Sequence, residues 1–179
     1  MRRFARGEAI LSVVLGLAFV LIGAAQAATI SVTAYVQEQS NWCWAASTRT
    51  IVGWRKGTTP ASQCQLVKWG KASSTCPNVT GEFIADINRA FNGAGLWGGN
   101  TGNYLASNTA IRYQIDNWSL VQVRIVWTGG AGHALTVYGY SGSSTINWID
   151  PAGGARKSGS WSYLSNNSSW TATHSRWFY

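Results

Sequence analysis

The stretch that decides the fold is Gln37-Glu38-Gln39-Ser40-Asn41-Trp42-Cys43-Trp44-Ala45-Ala46. Ser40 and Asn41 are residue types that cap helix N-termini, so we expect a helix whose first turn contains Cys43. The N-terminus of a helix carries a partial positive charge and unpaired backbone N–H groups, and both stabilise a thiolate. The stretch therefore predicts Cys43 as a nucleophile at the start of a helix.

The chain contains three cysteines, an odd number that leaves one thiol over after a single pairing. Cys64 and Cys76 lie in a stretch rich in Ser, Thr, Gln and Pro, where a disulfide would staple a loop. We therefore expect Cys64 and Cys76 to pair and Cys43 to be the free thiol.

A cysteine nucleophile needs a neighbouring imidazole, and the chain has two histidines. His133 follows a glycine-rich approach and opens the apolar segment 134–138, which is typical of a strand that presents a catalytic ring. His174 lies in the C-terminal tail, where the pattern is weaker. The sequence therefore predicts His133 as the base.

The third catalytic residue should hydrogen-bond the other imidazole nitrogen. Asp150 ends the next predicted strand, Thr145–Ile149, and a hairpin would bring it beside the start of the His133 strand. Asn147 is an alternative, because an amide also orients imidazole, but its side chain would point to the opposite face of the strand. We predict Asp150.

Stabilising an oxyanion requires two hydrogen-bond donors near the attacked carbonyl group. The backbone N–H of Cys43 is one candidate donor. A side-chain amide would be the second, and Gln37, Gln39 and Asn41 all lie close in sequence. Chemistry alone leaves the choice among these three open.

The motif Gln37-x5-Cys43, followed by Gly132-His133-Ala134 and Trp148-Ile149-Asp150-Pro151, resembles papain-like cysteine peptidases. The likeness is greatest to a small bacterial branch that contains bacteriocin-leader-peptidase-like and effector-protease-like domains. The resemblance implies an α+β fold, in which an N-terminal helical half packs its catalytic helix on a C-terminal antiparallel sheet. It also implies that Gln37 supplies the side chain of the oxyanion hole.

Periodicity predicts the elements around this motif. Apolar spacing indicates helices over 82–91 and from Asn108 to about Asn117, and the first helix should end near Gly53 or Gly57. The segment Ile30–Val36 is expected to be a short strand or an extended arm. Strands are predicted at Leu120–Trp127, His133–Tyr140 and Thr145–Ile149, with strand-like segments at 161–163 and 170–179.

The N-terminus has the pattern of a secretory signal peptide over residues 1–27, with three arginines, the apolar run Ile10–Ile22 and then Ala25-Gln26-Ala27. An uncleaved anchor is the alternative, but the charge-free run is short for a spanning helix. We expect a single peptidase domain at 28–179, secreted or periplasmic, without stable membrane association.

Composition limits the partners. The 46% hydrophobic and 11% charged residues indicate one globular domain. The net charge is +8, but the basic residues are scattered, so we do not expect nucleic-acid binding. No metal is expected, because one free cysteine and two distant histidines match no familiar ligand spacing. The predicted enzyme is a monomer without a cofactor that acts on a peptide or protein.

Two other functions fit the same residues. A Cys-His-Asp acyltransferase, such as a transglutaminase-like enzyme or a peptidoglycan amidase, would use the same thioester chemistry on another acceptor. A binding module that is not an enzyme would use the eleven tryptophans to recognise carbohydrate or peptide.

Overall fold

The computed structural model describes residues 26–179, so the predicted signal peptide lies outside the described residues except at its last two positions. The elements, in chain order, are β1 (Ala27–Thr29), α1 (Cys43–Lys56), α2 (Gln63–Lys71), α3 (Ala85–Gly93), β2 (Asn100–Gly102), α4 (Asn108–Asp116), β3 (Val121–Trp127), β4 (Gly132–Ser141), β5 (Thr145–Asp150), β6 (Ala155–Ser160), α5 (Trp161–Ser165) and β7 (Trp170–Trp177).

The strands form one seven-stranded antiparallel sheet in the order β2-β7-β3-β4-β5-β6, and β1 pairs with the end of β4. The three strands β3, β4 and β5 are consecutive neighbours, as the sequence predicts. The C-terminal strand β7 lies beside β3 rather than at an edge. Helices α1, α2 and α3 precede most of the sheet in sequence, which confirms the predicted α+β arrangement.

Helix α1 packs on the sheet through small and apolar residues, among them Ala45 and Ile51, which are fully buried. A polar cluster fixes its position on the sheet. The Ser47 hydroxyl is 2.8 Å from the Thr136 hydroxyl on β4, and the Gln122 amide on β3 donates to Ser47 Oγ at 3.1 Å. Directional bonds of this kind define the rotation of a helix more narrowly than apolar contact does.

The start of α1 differs from the prediction in its cap. The cap residue is Trp42, and its side chain makes no capping hydrogen bond. Ser40 and Asn41 are instead held by Asn78, whose amide nitrogen donates to Ser40 Oγ at 2.9 Å and whose Oδ1 accepts from Asn41 N at 3.0 Å. The helix ends as predicted, at Gly57 in the left-handed conformation.

Three other segments differ from the sequence-based expectations. Residues 161–163 are not a strand but part of the short helix α5, whose cap Ser160 accepts a hydrogen bond from Tyr163 N. Strand β6 has the polar sequence Ala-Arg-Lys-Ser-Gly-Ser and β2 has only three residues, so neither shows an apolar alternation. The segment 30–36, in contrast, agrees with the expectation, because it follows β1 as an extended arm.

The predicted disulfide is confirmed. Cys64, in the first turn of α2, is bonded to Cys76, with 5.1 Å between the two Cα atoms. Cys43 is the free cysteine. The disulfide fixes the loop before Pro77, which contacts the start of α1.

Candidate active site

Cys43 is the first residue of α1 and lies at one end of a surface cleft. The tryptophans on either side of it are buried and fixed. The Trp42 indole N–H donates to the Pro77 carbonyl at 3.0 Å, and that of Trp44 donates to the Val79 carbonyl at 3.2 Å. Because both neighbours are anchored beneath the surface, the Cys43 side chain is held in the cleft.

His133 lies in β4 and lines the same cleft as Cys43. Its Nε2 is 2.7 Å from Oδ1 of Asp150, the last residue of β5, and both side chains are buried. Because Nε2 is engaged by the carboxylate, Nδ1 is the ring nitrogen left for Cys43. The neighbouring strands β4 and β5 thus bring His133 and Asp150 together, and the start of α1 places Cys43 in the same cleft as His133.

The surroundings of His133 favour its protonated form. Burial by itself lowers the pKa of His133, but the hydrogen bonds and charges of Asp150 and Cys43 outweigh burial and raise this pKa to about 9. Burial alone would raise the pKa of Asp150, yet its hydrogen bonds and the charge of His133 lower it to about 2. At neutral pH the pair is therefore an imidazolium and a carboxylate.

The Asp150 carboxylate has two further partners. Its Oδ1 also accepts from the backbone N–H of Ala152 at 3.0 Å, and its Oδ2 accepts from Lys157 Nζ at 2.7 Å. Both oxygens are thus hydrogen-bonded, which compensates for the loss of water around a buried carboxylate.

Gln37 lies close to the end of β5 through its backbone, since its N–H donates to the Pro151 carbonyl at 2.9 Å. Its side-chain amide nitrogen donates to the carbonyls of Gln39 and Ser40 at 3.1 and 2.9 Å. Its Oε1 is buried without a hydrogen-bond partner. In this arrangement the amide is turned toward the loop before Cys43, and its role in an oxyanion hole stays a prediction.

The alternatives to the chosen residues lie elsewhere. Asn147 faces Ser158 across β5 and β6, and within residues 26–179 it makes no hydrogen bond with His133. His174 lies in β7, with its ring centroid 5.5 Å from that of Phe83. Burial and then the charge of Arg124 lower the pKa of His174, so this ring is neutral at neutral pH.

The cleft has a volume of about 290 Å³ and two walls. Residues 80–83 form one wall and the glycine-rich segment 130–134 forms the other, and Arg124 also lines the cleft. Gly81 is packed so closely on the Trp44 ring that an added Cβ would lie 2.4 Å from it. Glycine at this position lets the wall approach the residue next to Cys43.

Sequence reasoning missed two polar residues at the site. Asn78, for which the sequence predicted no role at the site, holds the loop before Cys43. Lys157, one of the scattered basic residues, contacts Asp150, and the sequence predicted no such contact. The Asn78 contacts depend on the path of a loop, and the Lys157 contact depends on the register of β5 and β6.

None of the helices within residues 26–179 is long and apolar enough to cross a membrane. The same part of the chain contains no cluster of three or more His, Cys, Asp or Glu residues that could hold a metal ion.

A helical half whose first helix begins with a cysteine, packed on an antiparallel sheet that carries a histidine and an aspartate, is the arrangement of the papain-like cysteine proteases. A family model described as papain-like cysteine protease AvrRpt2 matches residues 24–168. The match covers more than half of the chain, so the chain belongs to this family, and the resemblance read from the sequence is confirmed. No curated protein matches the chain.

Proposed function

We propose that this protein is an exported cysteine peptidase that hydrolyses peptide bonds with a Cys43-His133-Asp150 triad. The observation that carries the proposal is the 2.7 Å bond between His133 and Asp150 in the cleft that contains Cys43. The family membership supports a cysteine protease in general. The residue roles, the export and the substrate are our assignment.

The resting state would contain a Cys43 thiolate beside a His133 imidazolium. Two features support this ion pair. The sulfur lies at the positive end of α1, which stabilises negative charge, and Asp150 stabilises the positive charge on the ring. A thiolate is the reactive form of cysteine toward a carbonyl carbon.

In the acylation step the Cys43 sulfur attacks the scissile carbonyl and forms a C–S bond, and the carbonyl oxygen becomes an oxyanion. The backbone N–H of Cys43 would donate a hydrogen bond to that oxygen. Gln37 would donate a second one after its amide nitrogen turns away from the Gln39 and Ser40 carbonyls. His133 then transfers its Nδ1 proton to the amide nitrogen as the C–N bond breaks. The products are a thioester on Cys43 and a free amine.

In the deacylation step His133 removes a proton from water, and the hydroxide oxygen attacks the thioester carbonyl. The C–S bond breaks, the carboxylic acid leaves, and the thiolate and imidazolium are restored. Asp150 stays ionised and keeps Nε2 engaged, so that Nδ1 faces the reacting atoms throughout. The balance of atoms requires only water.

The proposed substrate is a peptide or protein in an extended conformation between the two cleft walls. Export is supported by the disulfide between Cys64 and Cys76, because such bonds persist in oxidising compartments. We therefore place the protein in the periplasm or outside the cell. We further propose that its active form comprises residues 28–179 and is a monomer.

The test is labelling of the purified protein with an epoxide inhibitor of cysteine peptidases, followed by mass mapping. We expect one label on Cys43, and we expect less than about 1% of the labelling rate in His133→Ala, because general base catalysis contributes 10²-fold or more. The companion assay incubates the protein with peptide libraries, with and without a labelled amine as acceptor.

The outcomes separate the candidate functions. Labelling with peptide cleavage supports the peptidase. Labelling with transfer to the amine and no hydrolysis would replace it by the acyltransferase. A folded protein whose Cys43 is not labelled would overturn both and leave a binding module.

A further inference from the structure

Lys157 lies on β6, one strand beyond the proposed triad. Its Nζ is 2.7 Å from Asp150 Oδ2, the carboxylate oxygen that His133 does not use. We propose that Lys157 is a positioning residue, which fixes the Asp150 carboxylate and thereby the orientation and charge of His133. This inference rests on the proposed function, since it assumes that Asp150 orients the catalytic ring.

The strand register explains why Lys157 reaches this carboxylate. Trp148 pairs with Lys157 and Asp150 pairs with Ala155 in the antiparallel pair of β5 and β6. Residues 148 and 150 share a face of β5, so Lys157 is the diagonal neighbour of Asp150 on that face. A long side chain spans this diagonal separation, and the contact therefore follows from the register of the sheet.

The carboxylate is held from three directions. His133 and the Ala152 N–H bind Oδ1, and Lys157 binds Oδ2. Without the lysine, Oδ2 would be an unpaired charged atom on a side chain that is only 9% exposed. Such an atom turns toward water or takes up a proton, and either change disturbs the bond between Oδ1 of the same carboxylate and His133.

The lysine is poorly placed to act mainly as a stabilising residue. Its own side chain is 49% exposed, and ion pairs at exposed positions contribute little to folding. Its contact with Asp150 has a defined effect, because the hydrogen bond from Lys157 is among the causes that lower the pKa of this carboxyl. The expected signature is therefore a changed pH dependence rather than a lost fold.

The charged groups that face the carboxylate come from the packed elements on each side. They are His133 on β4, with Cys43 of α1 beyond it, and Lys157 on β6. The adjacent Arg156 is engaged elsewhere, since it donates to the Val32 carbonyl and lies 4.6 Å from the Tyr138 ring centroid. Arg156 is thus a matched control, a cation on the same strand that does not touch Asp150.

The experiment measures the rate of Cys43 alkylation by a haloacetamide from pH 3 to pH 10, which requires no substrate. In Lys157→Met we expect the acid limb, the low-pH range in which the alkylation rate rises with pH, to move to higher pH by about half a unit. The reason is that removing a cation makes the negatively charged form of neighbouring acidic groups less favourable. Lys157→Arg should restore the wild-type limb, and Arg156→Met should leave it unchanged.

The effect must act through Asp150, so Lys157→Met in an Asp150→Asn background should cause no further shift. With a cleaved peptide as substrate, kcat should fall about fivefold in Lys157→Met while KM stays unchanged. Lys157→Gln provides a second neutral variant if Lys157→Met does not fold.

An acid limb in Lys157→Met or Lys157→Gln that superimposes on the wild-type limb would overturn the proposal. So would an equal shift in Arg156→Met or in the Asp150→Asn background. If the protein proves not to cleave peptides, the pH profile of Cys43 alkylation can still be measured. A failure of this inference can therefore be distinguished from a failure of the proposed function.

Discussion

The pKa of His133 combines two opposite influences at one residue. Burial lowers the pKa, whereas Asp150 and Cys43 raise it to about 9, so the charged form prevails. A histidine in the apolar surroundings of β4 without these partners would be neutral at pH 7. The neighbouring charges therefore set the chemistry of this ring.

The first prediction concerns pH. The reactive imidazolium exists below the pKa of His133 and is lost as the pH rises through about 9, so kcat/KM should fall tenfold per pH unit above this value. The check is a rate profile from pH 6 to pH 10.5, with circular dichroism to confirm folding at the alkaline end. An alkaline limb near the ordinary histidine pKa of about 6.5 would contradict the assignment of the shift.

At the scale of elements, the start of α1 depends on a loop that follows α2. The tryptophans beside Cys43 donate to the carbonyls of Pro77 and Val79, and Asn78 between these residues holds the loop before the helix. The disulfide at Cys76 fixes this loop one residue before Pro77. The position of the sulfur is therefore set by the 76–79 loop as well as by the helix that carries it.

The second prediction tests this loop. Asn78→Ala removes the bonds to Asn41 N and Ser40 Oγ, and we expect about a tenfold lower kcat with a loss of unfolding free energy of about 1 kcal/mol, because the bonds are exposed. Steady-state kinetics and urea unfolding measure the two quantities. Asn92→Ala, at an exposed position of α3, is the control and should change neither. A large loss of stability with normal kcat would show that the loop serves only the fold.

The sequence predicted contacts between residues that are close in the chain, and elements whose apolar residues follow the periodicity of a helix or a strand. The hairpins of β3, β4 and β5 follow from their apolar runs and glycine turns, and these place Asp150 beside His133. The partners Lys157 and Asn78 were missed, because they depend on the register of a polar edge strand and on the path of a loop. The sequence alone does not distinguish a polar side chain that is exposed to solvent from one that forms a buried hydrogen bond.

For the whole molecule, the least predictable feature is the insertion of β7 beside β3. The strand that a C-terminal segment pairs with is determined by contacts between residues that are distant in sequence. In this protein Gln122 on β3 lies opposite Arg176 on β7. Arg176 is fully buried, and its guanidinium donates to the carbonyls of Phe83 and Gly98 and to the Asn88 side chain. It thereby joins the last strand to the helical half and to the cleft wall that contains Phe83.

The third prediction concerns this arginine. Burial lowers the pKa of Arg176 to about 10, and no carboxylate among the described residues forms an ion pair with it, so its charge is stabilised by carbonyl and amide oxygens and by the rings of Phe83 and Phe91. Arg176→Met leaves these buried oxygens without donors and should lower the unfolding free energy by about 3 kcal/mol in urea.

The control for Arg176→Met is Lys68→Met, which removes a cation from α2 that makes no ion pair within residues 26–179. It should change the unfolding free energy by less than about 0.5 kcal/mol. Because Arg176 holds the carbonyl of Phe83, the folded fraction of Arg176→Met should also show a raised KM with little change in the alkylation rate of Cys43. A variant as stable as the wild type would mean that water replaces the guanidinium, and the two halves would then be joined by apolar packing alone.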